Sequence, residues 1–191
     1  MRLTTLVLIF SVSLLFFGTR LHAADAPRIA NVQAEIVDRH VVASAELLSG
    51  FQPDTLRDLH NGIPKEFYYY VVLNRKYKNW IDEEVYEKTI RHTIRYDTLK
   101  KQYTVVKQDF GQRMEEVYDD FDAVRQAVSR ITRSLLLPVD RLRPDHRYYL
   151  GVKAQMKVAK LPVYLEYFLF FIPVLEMDTP WAYSDVIRGI P

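Results

Sequence analysis

The chain has 191 residues, a length that suits one domain, and its 49% hydrophobic content supports a proper core. With 26 Lys+Arg against 24 Asp+Glu, it carries no electrostatic footprint for nucleic acid and no polybasic patch for anionic lipid. There is no cysteine, which excludes disulfides, thiol redox chemistry, thiolate zinc sites, c-type haem and a lipid-modified N-terminal cysteine.

The first 23 residues read as an address. Met1-Arg2 is a short basic start, LTTLVLIFSVSLLFFG is an apolar stretch of signal-peptide length, and Ala23-Ala24 offers small residues for cleavage. The uninterrupted apolar part is shorter than the ~20 residues of a spanning helix. The expectation is export, with residues 1–23 removed and 24–191 left as a single β-sandwich domain; an uncleaved N-terminal anchor is the alternative. Removing Arg2 and Arg20 leaves 24 Lys+Arg against 24 Asp+Glu, a neutral mature protein. A bacterial periplasm is the compartment such a chain suits.

Beyond the leader the period is two. Ala30, Val32, Ala34 and Ile36 alternate with polar residues, Asp38-Arg39 interrupts, and Val41, Ala43, Ala45 and Leu47 resume, as in a hairpin. FQPDTLRDLHNGIP predicts a short helix, with Pro53 in its first turn, Leu56 and Leu59 on one face and Asn61-Gly62 at its end. KEFYYYVVLN is apolar or aromatic on both faces and predicts a central, covered strand. Arg75, Lys76 and Lys78 mark a solvated loop, and Asp82, Glu83 and Glu84 a solvated turn. Ile90, His92, Ile94 and Tyr96 alternate ahead of a polar DTLKK turn and QYTVV, a second hairpin.

In GQRMEEVYDDFDAVRQAVSRITRSLLL the spacing of Phe121, Val124, Val128 and Ile131 predicts a helix. Asp119, Asp120 and Asp122 at its start and Arg130 and Arg133 at its end would complement the dipole. Leu142-x-Pro144-x-x-x-Tyr148 then has the spacing of a tyrosine corner, in which the phenol bonds to backbone just upstream of a central strand. With a final strand near Trp181–Ile187, the order predicts a mainly β fold: an immunoglobulin/fibronectin-like antiparallel β-sandwich with one or two short helices, one of them bridging two strands.

Chemistry is sparse. Neither G-x-S-x-G nor S-x-x-K occurs, and His40, His60, His92 and His146 are far apart, without ligand spacing. VYDDFD lacks the glycine and distal glutamate of a calcium loop, and helix capping explains its carboxylates. The 6 glycines form no phosphate loop. No cofactor, metal ligand or catalytic residue is assigned.

LPVYLEYFLFFIPVLEM, residues 161–177, is too short to span a bilayer, since Glu166 and Glu176 bracket nine apolar residues that include Pro173. It reads either as covered core or as an exposed aromatic patch for a partner or membrane surface. Tyr164, Tyr167, Phe168, Phe170 and Phe171, with Trp181, are the candidate interaction residues.

LHNGIPKEFYYYVVLNRKYKNW, IRYDTLKKQY, FDAVRQAV, DRLRPDHRYYLGVKAQMKVAKLP and PWAYSD occur in this order. Together they resemble the proteobacterial domain-of-unknown-function family numbered 4390, over about residues 28–187. The family pattern often has paired tryptophans after the basic loop, where this chain has Asn79-Trp80. The resemblance implies a small exported protein of Gram-negative bacteria with no defined activity or site residues, encoded near a membrane sensor kinase.

The leading expectation is a non-enzymatic periplasmic protein-interaction domain. Its partner would be an envelope protein such as a sensor kinase, or the membrane surface, and not nucleic acid. The alternatives are a binding protein for an apolar small molecule, then a hydrolase assembled from dispersed residues such as His92, His146 and Asp120.

Overall fold

A computed structural model describes residues 25–158 and 175–188. The alternating segments form two antiparallel sheets. The smaller is ordered β1 (Arg28–Val37), β2 (His40–Leu48), β7 (Arg130–Pro138). The larger runs β6 (Gln112–Tyr118), β5 (Gln102–Asp109), β4 (Glu83–Asp97), β3 (Lys65–Lys76), β8 (Arg147–Val158). Against β8 then lie three short pieces, β9 (Leu175–Asp178), β10 (Ala182–Tyr183) and β11 (Ile187–Arg188).

The core is the space between the sheets. Val41, Ala43, Ala45 and Leu47 point into it from β2, as their alternation predicts. Phe67, Tyr69, Val71 and Leu73 meet them from β3, with Leu150, Val152, Ala154 and Met156 from β8. Each large side chain buried this way contributes about 1.5–3 kcal/mol. The result is the expected β-sandwich. β3 is central, flanked by β4 and β8, but only its inner face is fully covered; Tyr68, Tyr70 and Asn74 on the outer face are half-buried.

A helix α1 (Thr55–His60) precedes β3, and a helix α2 (Phe121–Ser129) carries the chain from β6 in one sheet to β7 in the other. Asp120 starts α2 by accepting from the backbone N–H of Ala123 at 3.0 Å. At its other end two core side chains reach the Val128 carbonyl, the Tyr69 hydroxyl donating at 2.7 Å and His92 Nδ1 lying at 2.9 Å. Helix-end carbonyls lack intrahelical donors, so this contact satisfies one of them inside the core. Burial holds His92 neutral, with its pKa lowered to about 4.

Between the sheets, Lys88 of β4 donates to Ser134 Oγ at 2.9 Å and to the Leu135 carbonyl, and pairs with Asp109. The tyrosine corner is present too: Tyr148 is fully buried and its hydroxyl accepts from the Arg143 N–H at 2.8 Å.

Four expectations are corrected. The helix read within residues 111–137, from Asp119 to about Arg133, is only nine residues long, with β6 before it and β7 after it. Ile131 therefore reaches the core from a strand, and Arg130 pairs with Glu46 instead of complementing the helix end. Pairing with β5 and β2 decided this, because inward strand positions happened to continue the helical spacing. Pro53 lies ahead of α1, whose N-cap is Asp54. Glu83 and Glu84 belong to β4, extended by pairing with β3. Arg75 is buried, while Lys76 and Lys78 are exposed as expected of a solvated loop.

Candidate docking surface

β3 and β4 pair as far as Arg75 and Glu83, whereas β4's pairing with β5 begins only at Arg91. The first eight β4 residues therefore pair with β3 alone and run ~25 Å past the end of β5, while β8 flanks β3 as far as Lys76. The loop connecting β3 to β4 is held from beneath. Asp82 accepts from the Tyr77 N–H and the Tyr149 hydroxyl, both at 2.9 Å. Glu83 accepts from the Tyr77 hydroxyl at 2.7 Å and from Arg75 at 2.9 Å. Arg75 in turn lies over the Tyr148 ring, 5.8 Å from its centroid.

These donors hold the carboxyl of Asp82 below its ordinary range, chiefly through the Tyr77 N–H, and that of Glu83 likewise, chiefly through the Tyr77 hydroxyl. Burial, followed by the hydrogen bond to Asp82, pushes the Tyr149 phenol up to about 12. Asp82 is half-buried by these contacts, whereas the Glu83 side chain stays 51% exposed. Beside exposed Asn79 and Glu84, the loop presents an apolar pair to solvent: Trp80 is 81% exposed and Ile81 82%. Lys76 and Lys78, both exposed, flank them. Such a tip can insert two large apolar side chains into a pocket while ammonium groups meet an acidic rim. Each fully desolvated side chain would supply about 1.5–3 kcal/mol.

Of the residues expected to make contacts, Tyr164, Tyr167, Phe168, Phe170 and Phe171 lie outside the described residues. The strands on either side of their segment are adjacent, Lys157 pairing with Leu175, so the chain leaves and returns at one place. That place is level with Lys65, the start of β3, and so opposite the Trp80 tip. Trp181 is 40% exposed in the break between β9 and β10, near mid-sheet, and does not join the tip.

The dispersed residues of the hydrolase alternative are not gathered. His92 is level with Phe67, whereas His146 packs edge-on against Tyr77, ~30 Å farther along β3. Asp120 is occupied as the cap of α2. Among the described residues, no group of His, Asp and Glu is arranged to hold a metal, and no helix is long and apolar enough to cross a membrane.

Sequence reasoning passed over Trp80 and Ile81, reading their loop only as solvated. Two large apolar residues between RKYKN and DEE were the available signal.

The family described as "Domain of unknown function (DUF4390)" matches residues 24–184, from ahead of β1 to beyond β10. The chain belongs to that family. The matched span holds every strand but β11, the tip and the tyrosine corner, so the DUF4390 unit includes every fully buried core residue. No curated protein and no solved structure matches the chain.

Proposed function

We propose that this DUF4390 chain is a non-enzymatic interaction domain of the bacterial periplasm, exported by residues 1–23, that docks onto another envelope protein. The observation carrying this reading is the Trp80–Ile81 tip, whose exposed apolar pair is held by a dedicated hydrogen-bond scaffold. Preorganisation reduces the entropy lost on docking, and aromatic anchors at rigid positions are the usual centres of binding energy. The partner is a protein with an apolar pocket and an acidic rim for Lys76 and Lys78. The periplasmic part of a membrane sensor kinase is the first candidate, and Tyr164, Tyr167, Phe168, Phe170 and Phe171 are further candidate contacts.

The test is photo-crosslinking in the native host, with a reactive amino acid placed at Ile81 and, separately, at Tyr167. A discrete protein adduct from Ile81 that disappears in a Trp80→Ala background supports the reading. Adducts to lipid alone would convert the tip into a membrane contact. Only intramolecular products at both positions would refute docking through the tip or through the aromatic segment.

A further inference from the structure

β6 is a seven-residue edge strand that pairs only with β5 among the described residues, and it contains neither proline nor bulge. A bare edge of this kind is a template for another strand. Its hairpin loop holds Phe110 at φ 42° and Gly111 at φ 78°, the two-residue geometry that matches strand twist. Positive φ is natural for glycine and unfavourable for a bulky aromatic. Phe110 nevertheless sits there, 84% exposed.

The loop also determines which backbone groups are free. It closes on the hydrogen-bonded pair Asp109–Gln112, so Gln112, Met114, Glu116 and Tyr118 direct their N–H and C=O toward β5. Arg113, Glu115 and Val117 direct theirs outward. A second strand can use those groups only in registers that pair odd-numbered residues with odd-numbered ones. For a symmetric antiparallel pair of β6 strands, the two-fold axis must then pass through a residue.

Between Arg113 and Glu116 there are four such axes. An axis at Arg113 opposes two arginines, and one at Glu115 or Glu116 opposes two glutamates; like charges directly across are destabilising. The axis at Met114 differs. It sets Arg113 against Glu115 of the second copy twice, Met114 against itself, and Phe110 against Tyr118. Met114 is 59% exposed, and Arg113 and Glu115, each more than half exposed, meet only each other, at a long 3.4 Å that an opposed copy can exchange for the two intermolecular pairs. Glu116, by contrast, is already engaged with Lys107 at 2.8 Å and with the Tyr118 hydroxyl at 2.6 Å.

We propose that a second copy of this chain covers β6, as a two-fold antiparallel pair centred on Met114 that joins the two large sheets into one. The interface is isologous, so each copy supplies the same donors, acceptors and charges. It lies on a different edge from the Trp80 tip and leaves that tip free.

Analytical ultracentrifugation of protein purified from cells expressing the full chain tests this. The wild type is expected to show a concentration-dependent dimer. Arg113→Glu alone, or Glu115→Arg alone, should raise its dissociation constant by about tenfold or more, since each opposes like charges twice. The double swap R113E/E115R should restore the dimer, and an equimolar mixture of the two single variants should form a mixed one. Because the chain lacks cysteine, Met114→Cys should yield a single disulfide-linked dimer on oxidation. Opposed residues at this kind of position have Cα atoms ~4.5 Å apart, within disulfide reach. A wild type that remains monomeric would overturn the proposal. So would a dimer indifferent to both charge reversals, or a Met114→Cys chain that does not cross-link.

Discussion

The two edges of the large sheet are built by opposite means. Along β8 the edge strand is broken into β9, β10 and β11, and each break is repaired by a side chain. Thr179 donates its N–H to the Ala154 carbonyl and accepts the Ala154 N–H on its hydroxyl, both at 2.9 Å. Ser184 does the same for Leu150, again at 2.9 Å each way. Glu176 of β9 holds the buried Lys65 ammonium at 2.6 Å, and Asp178 holds Lys153 at 2.9 Å. Along β6 the strand is continuous and its outward donors and acceptors have no such partners among the described residues. An edge closed by side chains cannot add another strand, whereas a regular, open one can.

The largest effect should come from unlocking the closed edge. Lys65 is 1% exposed and shared between Asp58 and Glu176. Lys65→Met would strand two partly buried carboxylates. A loss of about 3–5 kcal/mol is expected in urea unfolding, with early loss of amide protection in β9. An unchanged midpoint would show that this edge is not held by the ion cluster.

Acid should weaken the other side of the sheet. His92 lies on β4, opposite Lys107 of β5, and its folded pKa of about 4 is below the ordinary 6.5. An unfolded histidine binds a proton below pH 6.5 while the folded one does not, so this stability is present above 6.5 and falls as pH drops toward 4. The full loss is ~3 kcal/mol. Thermal midpoints measured across that window should fall for the wild type and flatten for His92→Gln, and parallel slopes would remove His92 from the account.

Thr179→Val should cost about 1–3 kcal/mol, because the buried Ala154 N–H loses its acceptor. Hydrogen exchange at Ala154 reports this directly. The smallest change is expected on the open edge: Val117→Thr alters an exposed side chain and should shift stability by less than ~0.5 kcal/mol. A comparable loss from Val117→Thr and Thr179→Val would erase the contrast between the edges.

Legibility followed the range of the determining contacts. The β1–β2 and β4–β5 hairpins, the centrality of β3 and the Leu142–Tyr148 corner all rest on alternation or turn chemistry within a few residues, and each is in the structure. β6 and β7 were hidden inside one helical period. Their identity depends on partners at Tyr103–Asp109 and His40–Glu46, which no local window contains. Trp80 and Ile81 were visible as residues, yet their significance rests on Tyr149, 67 positions from Asp82, returning to support the loop.

By itself, then, the sequence determined a mainly β, cysteine-free chain with a leader-like start, a capped helix at Asp120 and a tyrosine corner, because composition, period and short spacing act through neighbouring residues. Tertiary structure alone decided which strands became edges, which acids accept from distant tyrosines and which aromatics were left facing water. Those outcomes depend on pairing between segments tens of residues apart, where the free energy of a strand lies in the strand beside it.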